Sequence, residues 1–459
     1  MNFWGAQNRK DNKKDNLRTA FEFWLLVPLT LACMLTDRAL PVAATASLFF
    51  LLWRIGRNLF LSRAISDSFS RITRIPTQFF HGLSEAFRWS RLAPFVGLLL
   101  FMLGLSLLIT VSPETTLTQV QRVVLGLGAC LAIRDWLRAP QTWNKKRGYA
   151  LGLVALGGAL AAVSPVVVEW QGSKMASIIP PALYRAFPLL VSDGANPNVM
   201  AGALLILFPL AVSLSLRWPA TQGKIATRWD TLLPITTGLC AALIFAMLVL
   251  TQSRGAWLAT TISMWLLANL RWRWLRPVSV LLVLLAGLMV LLRPVWLTPV
   301  FESLSTTGSI SGSAERQEIW THAWYMIQDF SFTGVGMGNF RRVNDLFYPL
   351  YIATPDAPHA HNLFLQVAVD LGIPGFLAWL GLFVHAFYVT VRAFAHPQGD
   401  WVRAIAAGLL VAQVAMSVHG LLDCVVWGVM RTALIVWLLW GLAYALEPLR
   451  SNSLGALAT

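Results

Sequence analysis

Apolar stretches of membrane-spanning length recur along most of the chain, separated by shorter polar segments. A helix needs roughly 17–25 apolar residues to cross about 30 Å of hydrocarbon. Stretches near 20–36, 41–60, 94–111, 118–136, 149–168, 198–216, 233–251, 255–270, 277–293, 372–392, 403–421 and 425–446 meet or approach that length. The inside/outside alternation of a membrane β-barrel is absent, and helices satisfy their own backbone polar groups in lipid. The pattern therefore predicts an all-α polytopic membrane protein with about 12 transmembrane helices.

The polar segments between these stretches are unequal. Residues 168–197 and 293–371 are too long for simple connectors, since structureless loops beyond about 12–15 residues are uncommon. The second contains helix-like stretches and forms a large outer loop with short helices between spans 9 and 10. The chain thus divides into spans 1–9 over 1–292, the outer loop over 293–371, and spans 10–12 with the C-terminus over 372–459. Residues 61–93 mix Arg with Phe69, Ile72, Phe79, Phe80, Phe87 and Trp89, and read as an amphipathic connector on an anionic leaflet.

Composition supports the class: 56% of residues are hydrophobic and 12% charged, where soluble domains carry about 25% charged. The formal charge of +15 raises nucleic acid as a partner, but its placement argues against that. Arg54, Arg57, Arg63, Arg71 and Arg74 fall in one loop; Arg138, Lys145, Lys146 and Arg147 in another. Arg217, Lys224, Arg228, Arg271, Arg273, Arg276, Arg392 and Arg403 continue the alternation, while the turn VSPETTLT has no Lys or Arg. By the positive-inside rule both termini are cytoplasmic. The first apolar stretch lacks a small-residue cleavage site and reads as a retained helix. Cys33, Cys130, Cys240 and Cys424 lie in or beside apolar stretches and indicate no disulfide framework.

Within the long loop, SGSAERQEIWTHAWYMIQDF reads as an amphipathic helix capped by Ser313. Ile319, Trp320, Ala323, Trp324 and Ile327 share its apolar face, joined in the first turn by Arg316. An Arg there needs an anion, or a local carboxylate, as partner. The following FTGVGMGNF has no βαβ context and no G-K-[ST], so it reads as a flexible turn rather than a nucleotide loop.

PHAHNLFLQVAVDLGIPG carries the candidate chemistry. Gly372 followed by Pro374 marks a helix stop, which sets His361 at the start of a short helix at the membrane edge. Asn362, Gln366 and Asp370 recur every four residues on one face. Three readings of the histidines stand: metal ligands (His359 and His361 with His322 or Asp356), a structural hydrogen-bonded histidine, or a general base. Imidazole titrates near pH 6.5 and suits the last role, but nothing has the spacing of a helical zinc motif. Two arginines are predicted on the same membrane face: Arg254 in the tight turn TQSRGAW, and Arg185 in PPALYRAFPLL. Guanidinium binds phosphate through paired charge-assisted hydrogen bonds, whereas snorkelling to headgroups is the bland alternative. A base with arginines suits cleavage of a lipid-linked phosphate ester, with no nucleotide and no D-x-D motif.

His361-Asn362, nine residues, then Gly372 resembles the H-[NSQ]-x9-G pattern of bacterial O-antigen ligases. Arg316 with Trp320, the Ser253–Gly255 turn and the late long loop resemble that superfamily too. The resemblance implies a metal-independent, inverting, cofactor-free glycosyltransferase in the bacterial inner membrane, with its site in a periplasmic loop. It would move glycan from undecaprenyl diphosphate to a hydroxyl of lipid A-core oligosaccharide. By this resemblance His361 activates the acceptor and Arg254 binds the donor diphosphate. Arg185 matches less securely in that donor role, while Arg316 and Asn362 give support. Membrane lipids are partners and nucleic acid is not. Polymerases of the same superfamily share the loop, and nothing after the last helix resembles the protein-modifying branch. A lipid-linked sugar flippase is the rival class, with His419 and Asp423 as a coupling pair, against which stand the unequal loops and lack of repeats.

Overall fold

A computed structural model of the chain describes residues 3–70, 92–138, 143–170, 179–191, 194–216, 218, 228–292, 311–349, 357–397 and 399–447. Those residues form helices α1 (Phe3–Leu35), α2 (Leu40–Ser70), α3 (Ala93–Ile109), α4 (Pro113–Arg138) and α5 (Trp143–Val167). Next come a short α6 (Pro181–Arg185), then α7 (Pro197–Ser215), α8 (Arg228–Leu250), α9 (Arg254–Arg271) and α10 (Leu275–Leu292). The segment expected to lie outside, called the outer segment below, holds α11 (Ser311–Asp329) and α12 (Phe340–Phe347); α13 (Leu363–Ala395), α14 (Asp400–Gly420) and α15 (Leu434–Ala445) complete the bundle. Among the described residues, eight helices are long and apolar enough to cross a membrane, and three further apolar helices are shorter. No strand forms there beyond an isolated bridge between Val168 and Ala195.

Burial sorts the helices into a centre and a rim. In α7, residues Leu204 to Ala211 are all buried, and α7 packs on α14 while α4 packs on α15. That close approach rests on small residues: a Cβ on Gly126 of α4 would collide with the Trp437 indole of α15. By contrast α10 exposes Val280, Leu281, Leu282, Val283 and Leu284, an apolar surface suited to lipid. At one end of the bundle buried charges are paired. Arg54 of α2 bonds both Glu22 of α1 and Asp135 of α4, and Arg134 meets Asp135 at 2.7 Å. Asp135 lies 19 residues along α4 from Thr116, about 28 Å at helical rise. Thr116 bonds the outer segment through the Met337 carbonyl at 2.8 Å. The buried ion pairs and the outer segment therefore occupy opposite ends of the bundle.

Four expectations need correction. The last apolar stretch is helical only from Leu434; residues 421–433 form turns and a short 3-10 helix while staying largely buried. Aspartate, glycine and paired turns interrupt the helix there. Helix α11 begins at Ser311, which puts Ser313 inside it rather than at its cap. Trp324 is 54% exposed, and Met326 takes the buried position with Ile319, Ala323 and Ile327. The glycine-rich turn is packed, not loose. As for the amphipathic connector, residues 71–91 lie outside the described residues, and 61–70 continue α2.

The packed turn explains how α13 breaks. Gly372 sits at φ 68, ψ 179 between two helical halves. Pro374 has no N–H to give the Asp370 carbonyl, and the Ile373 N–H turns to Ser331 at 2.7 Å. Val335 and Gly336 supply the missing donors, bonding the Val369 and Asp370 carbonyls at 2.8 and 3.1 Å. Gly334 and Gly372 both have positive φ, and a Cβ on either would collide with the other's neighbourhood backbone. The outer segment is thus stitched into the helix break, which orients the turn before α13.

Candidate functional site

That turn, residues 357–362, presents the two histidines. Asn362 caps α13: its Oδ1 accepts from the N–H groups of Phe364 and Leu365 at 3.0 and 3.1 Å. Such a cap contributes about 1 kcal/mol. Its Nδ2 also donates to the Leu421 carbonyl at 3.3 Å, tying the turn to the segment after α14. His361 therefore stands just before the helix, with φ 47 in the left-handed region. Non-glycine residues seldom adopt it, and such strain concentrates at functional sites. Side chains hold the conformation: the Ala360 N–H donates to Gln366 Oε1 at 2.7 Å, and the His361 N–H to His359 Nδ1 at 3.2 Å.

The opposite wall comes from residues 421–430. Asp423 Oδ1 lies 4.0 Å from His361 Nδ1 and 4.0 Å from His359 Nε2, and accepts the Cys424 N–H at 2.8 Å. The imidazole rings are 4.1 Å apart. His359 is buried and His361 half-buried, so only the second is open to a substrate. Burial holds the His359 imidazole well below the usual histidine range; His361 acts in the same sense and Asp423 opposes it. His359 is thus a neutral ring, with its lone pair at Nδ1 toward the His361 N–H and its proton at Nε2 toward Asp423.

This tautomer bears on the metal reading. Ligand atoms of His359, Asp423 and Cys424 lie within 4.8 Å of one another. A ligating histidine donates its second N–H to an acceptor. His359 Nδ1 faces a donor instead, so a metal at Nε2 would put two N–H groups against each other. The donor set is close, but its hydrogen bonding does not fit a metal. Of the other candidates, His322 Nδ1 pairs with Asn344 at 3.1 Å between α11 and α12, and Asp356 lies outside the described residues.

Around this centre the arginine-bearing elements gather. His419, buried at the end of α14, lies 3.5 Å from the Cβ positions of both Gly255 and Gly202. The Ser253–Gly255 turn therefore packs against the segment leading to Asp423. Arg254 opens α9 with an exposed side chain, beside the positive end of that helix. Arg316 is half-buried on α11, near enough to His419 for its charge to act there. Arg185, exposed, ends α6. Its neighbour Tyr184 accepts from Gln252 Nε2 at 2.6 Å and donates to the Leu250 carbonyl at 2.8 Å, which latches α6 to the turn bearing Arg254. Gln252, at φ 51, is the second left-handed non-glycine residue.

All five residues singled out in sequence thus belong to elements meeting at one end of the bundle. Asp423 as the partner of both histidines was not legible there. It stands 62 positions from His361 with no local pattern linking them, and sequence placed it only beside His419. No curated protein matches the chain. Residues 239–380, the segment holding Arg254, Arg316 and His361, match the protein-family model described as O-Antigen ligase.

Proposed function

We propose that this protein is a ligase that transfers glycan from undecaprenyl diphosphate to a hydroxyl of lipid A-core oligosaccharide. The reaction takes place on the periplasmic face of the inner membrane, with both termini cytoplasmic. The observation that carries the reading is His361 set against Asp423, at the bundle end where the Arg254 turn also packs. Asp423 beside Nδ1 favours a proton there and leaves Nε2 to take the acceptor's hydroxyl proton. The freed oxygen attacks the anomeric carbon as the bond from that carbon to the diphosphate oxygen breaks. Undecaprenyl diphosphate leaves with the electron pair, and opposite-face attack inverts the anomeric configuration. Arg254 and Arg185 offset the leaving group's charge, Arg316 supports them, and Asn362 holds the histidine turn. A positioned general base contributes about 10²–10⁴-fold. No metal or other cofactor enters this scheme.

The test is purified protein with lipid-linked glycan and a lipid A-core acceptor, read as released undecaprenyl diphosphate and capped product. His361→Ala abolishes transfer with yield intact, and chelator leaves the wild type unchanged. Lipid crossing the bilayer with no bond cleaved would replace the enzyme by a flippase. In cells lacking the protein, loss of all capped lipopolysaccharide with long lipid-linked chains accumulating marks a ligase. A single repeat on the core marks a polymerase, the second reading, since the family match does not separate the two.

A further inference from the structure

We infer that Asp370 is a positioning residue for the transfer reaction. Through Gln366 and Trp427 it holds the turn bearing His361 in register with the segment bearing Asp423. The inference rests on the proposed role of those two residues.

Asp370 is fully buried where three separate pieces of chain meet. Its Oδ1 accepts from Gln366 Nε2 at 2.9 Å and from the Gly338 N–H at 3.2 Å; its Oδ2 accepts from Trp427 Nε1 at 2.8 Å. Gln366 is fully buried as well, and its other end accepts the Ala360 N–H. One unbroken hydrogen-bonded path therefore runs Trp427–Asp370–Gln366–Ala360. It starts four residues after Asp423 and ends one residue before His361. The Asn362–Leu421 hydrogen bond is a further tie between the turn and that segment.

The chemistry of the junction demands a carboxylate. All three partners are donors, and a carboxylate accepts at both oxygens without presenting a proton of its own. An amide of the same shape must aim N–H groups at a donor, and a buried donor left unsatisfied is expensive. If only volume mattered at this position, the isosteric amide would be neutral. Strict complementarity also predicts a specific rescue: replacing Trp427 by Phe removes the indole donor and makes room for the amide's N–H.

The experiment uses the full chain in lipid nanodiscs, with lipid-linked glycan and acceptor. Asp370→Asn is expected to lower kcat about 10-fold with both KM values within about 2-fold. Trp427→Phe alone lowers kcat about 3-fold, and the double variant is more active than Asp370→Asn. The pH–rate profile of Asp370→Asn shifts, because the His361–Asp423 separation changes. Independently of catalysis, hydrogen exchange in peptides over 357–366 and 421–430 rises together in Asp370→Asn and falls again in the double variant. Wild-type kcat in Asp370→Asn overturns the inference, as does a loss that merely tracks folded protein, with no rescue and an unshifted pH profile. Absence of the paired exchange change overturns it whatever the transfer assay shows. A wild type that transfers no glycan, or a fully active His361→Ala, instead sinks the proposed function.

Discussion

The histidine side and the arginine side of the site are built in opposite ways. His361 sits on a turn whose backbone is strained and whose N–H groups end on buried side chains: Gln366, His359 and the Asn362 cap. Arg254 and Arg185 end exposed on two elements joined through the Tyr184 hydroxyl, which bonds Gln252 and the Leu250 carbonyl. Buried polar groups left unpaired are costly, so a fully satisfied network locks one geometry. Exposed guanidiniums keep their rotamer freedom and meet an anion where it arrives. A proton-transfer group must be placed to within a fraction of an ångström. A diphosphate clamp tolerates more, and under the proposed function the rigid packing falls on the proton-transfer side.

The contrast can be broken from either side. The largest effect belongs to His361→Ala, which removes transfer altogether while yield and thermal stability hold. Arg254→Ala and Arg185→Ala come next: each raises the donor KM about 10-fold or more, the acceptor KM stays put, and kinetics at varied donor concentration read the split. Equal effects on donor and acceptor would mean that the arginine side is scaffold rather than clamp. Tyr184→Phe cuts the latch at a cost of about 1 kcal/mol. Its signature is a donor KM raised by a few fold, with the His361 pH profile unmoved. The smallest effect is on stability. The buried His359 ring takes up its proton less readily folded than unfolded, so folded protein loses stability as pH falls through the ordinary histidine range near 6.5. His359→Gln flattens that acid limb in thermal unfolding followed from pH 7 downward; an unchanged limb would show that His359 is not held neutral.

Part of this arrangement is readable along the chain because its causes are local. The Gly372 stop follows from glycine's access to positive φ and from Pro374's missing N–H two residues on. The stripe Asn362, Gln366, Asp370 follows from helical period, and all three are buried as one face. The last span misled because residues 425–446 are apolar apart from Arg431 and Thr432, and hydropathy records burial without recording backbone shape. Residues 423–428 are buried by neighbouring helices, and Arg122 donates to the Gly428 and Val429 carbonyls at 3.1 and 2.7 Å. Non-helical chain survives at membrane depth only when protein covers it in this way. The glycine-rich turn misled for the related reason that its packing partner, the broken α13, is remote in sequence.

What the sequence alone determined is the helical membrane class, the helix break at Gly372, and the residue types of the candidate site. Periodicity, hydropathy and single-residue stereochemistry act within a few positions and leave a local record. Only the tertiary structure decided that Asp423 stands against His361, that Tyr184 ties Arg185 to the Arg254 turn, and that Asp370 links both walls of the site. Those contacts join residues 57 to 68 positions apart. They depend on how the bundle closes around buried polar groups, and no local pattern carries that information.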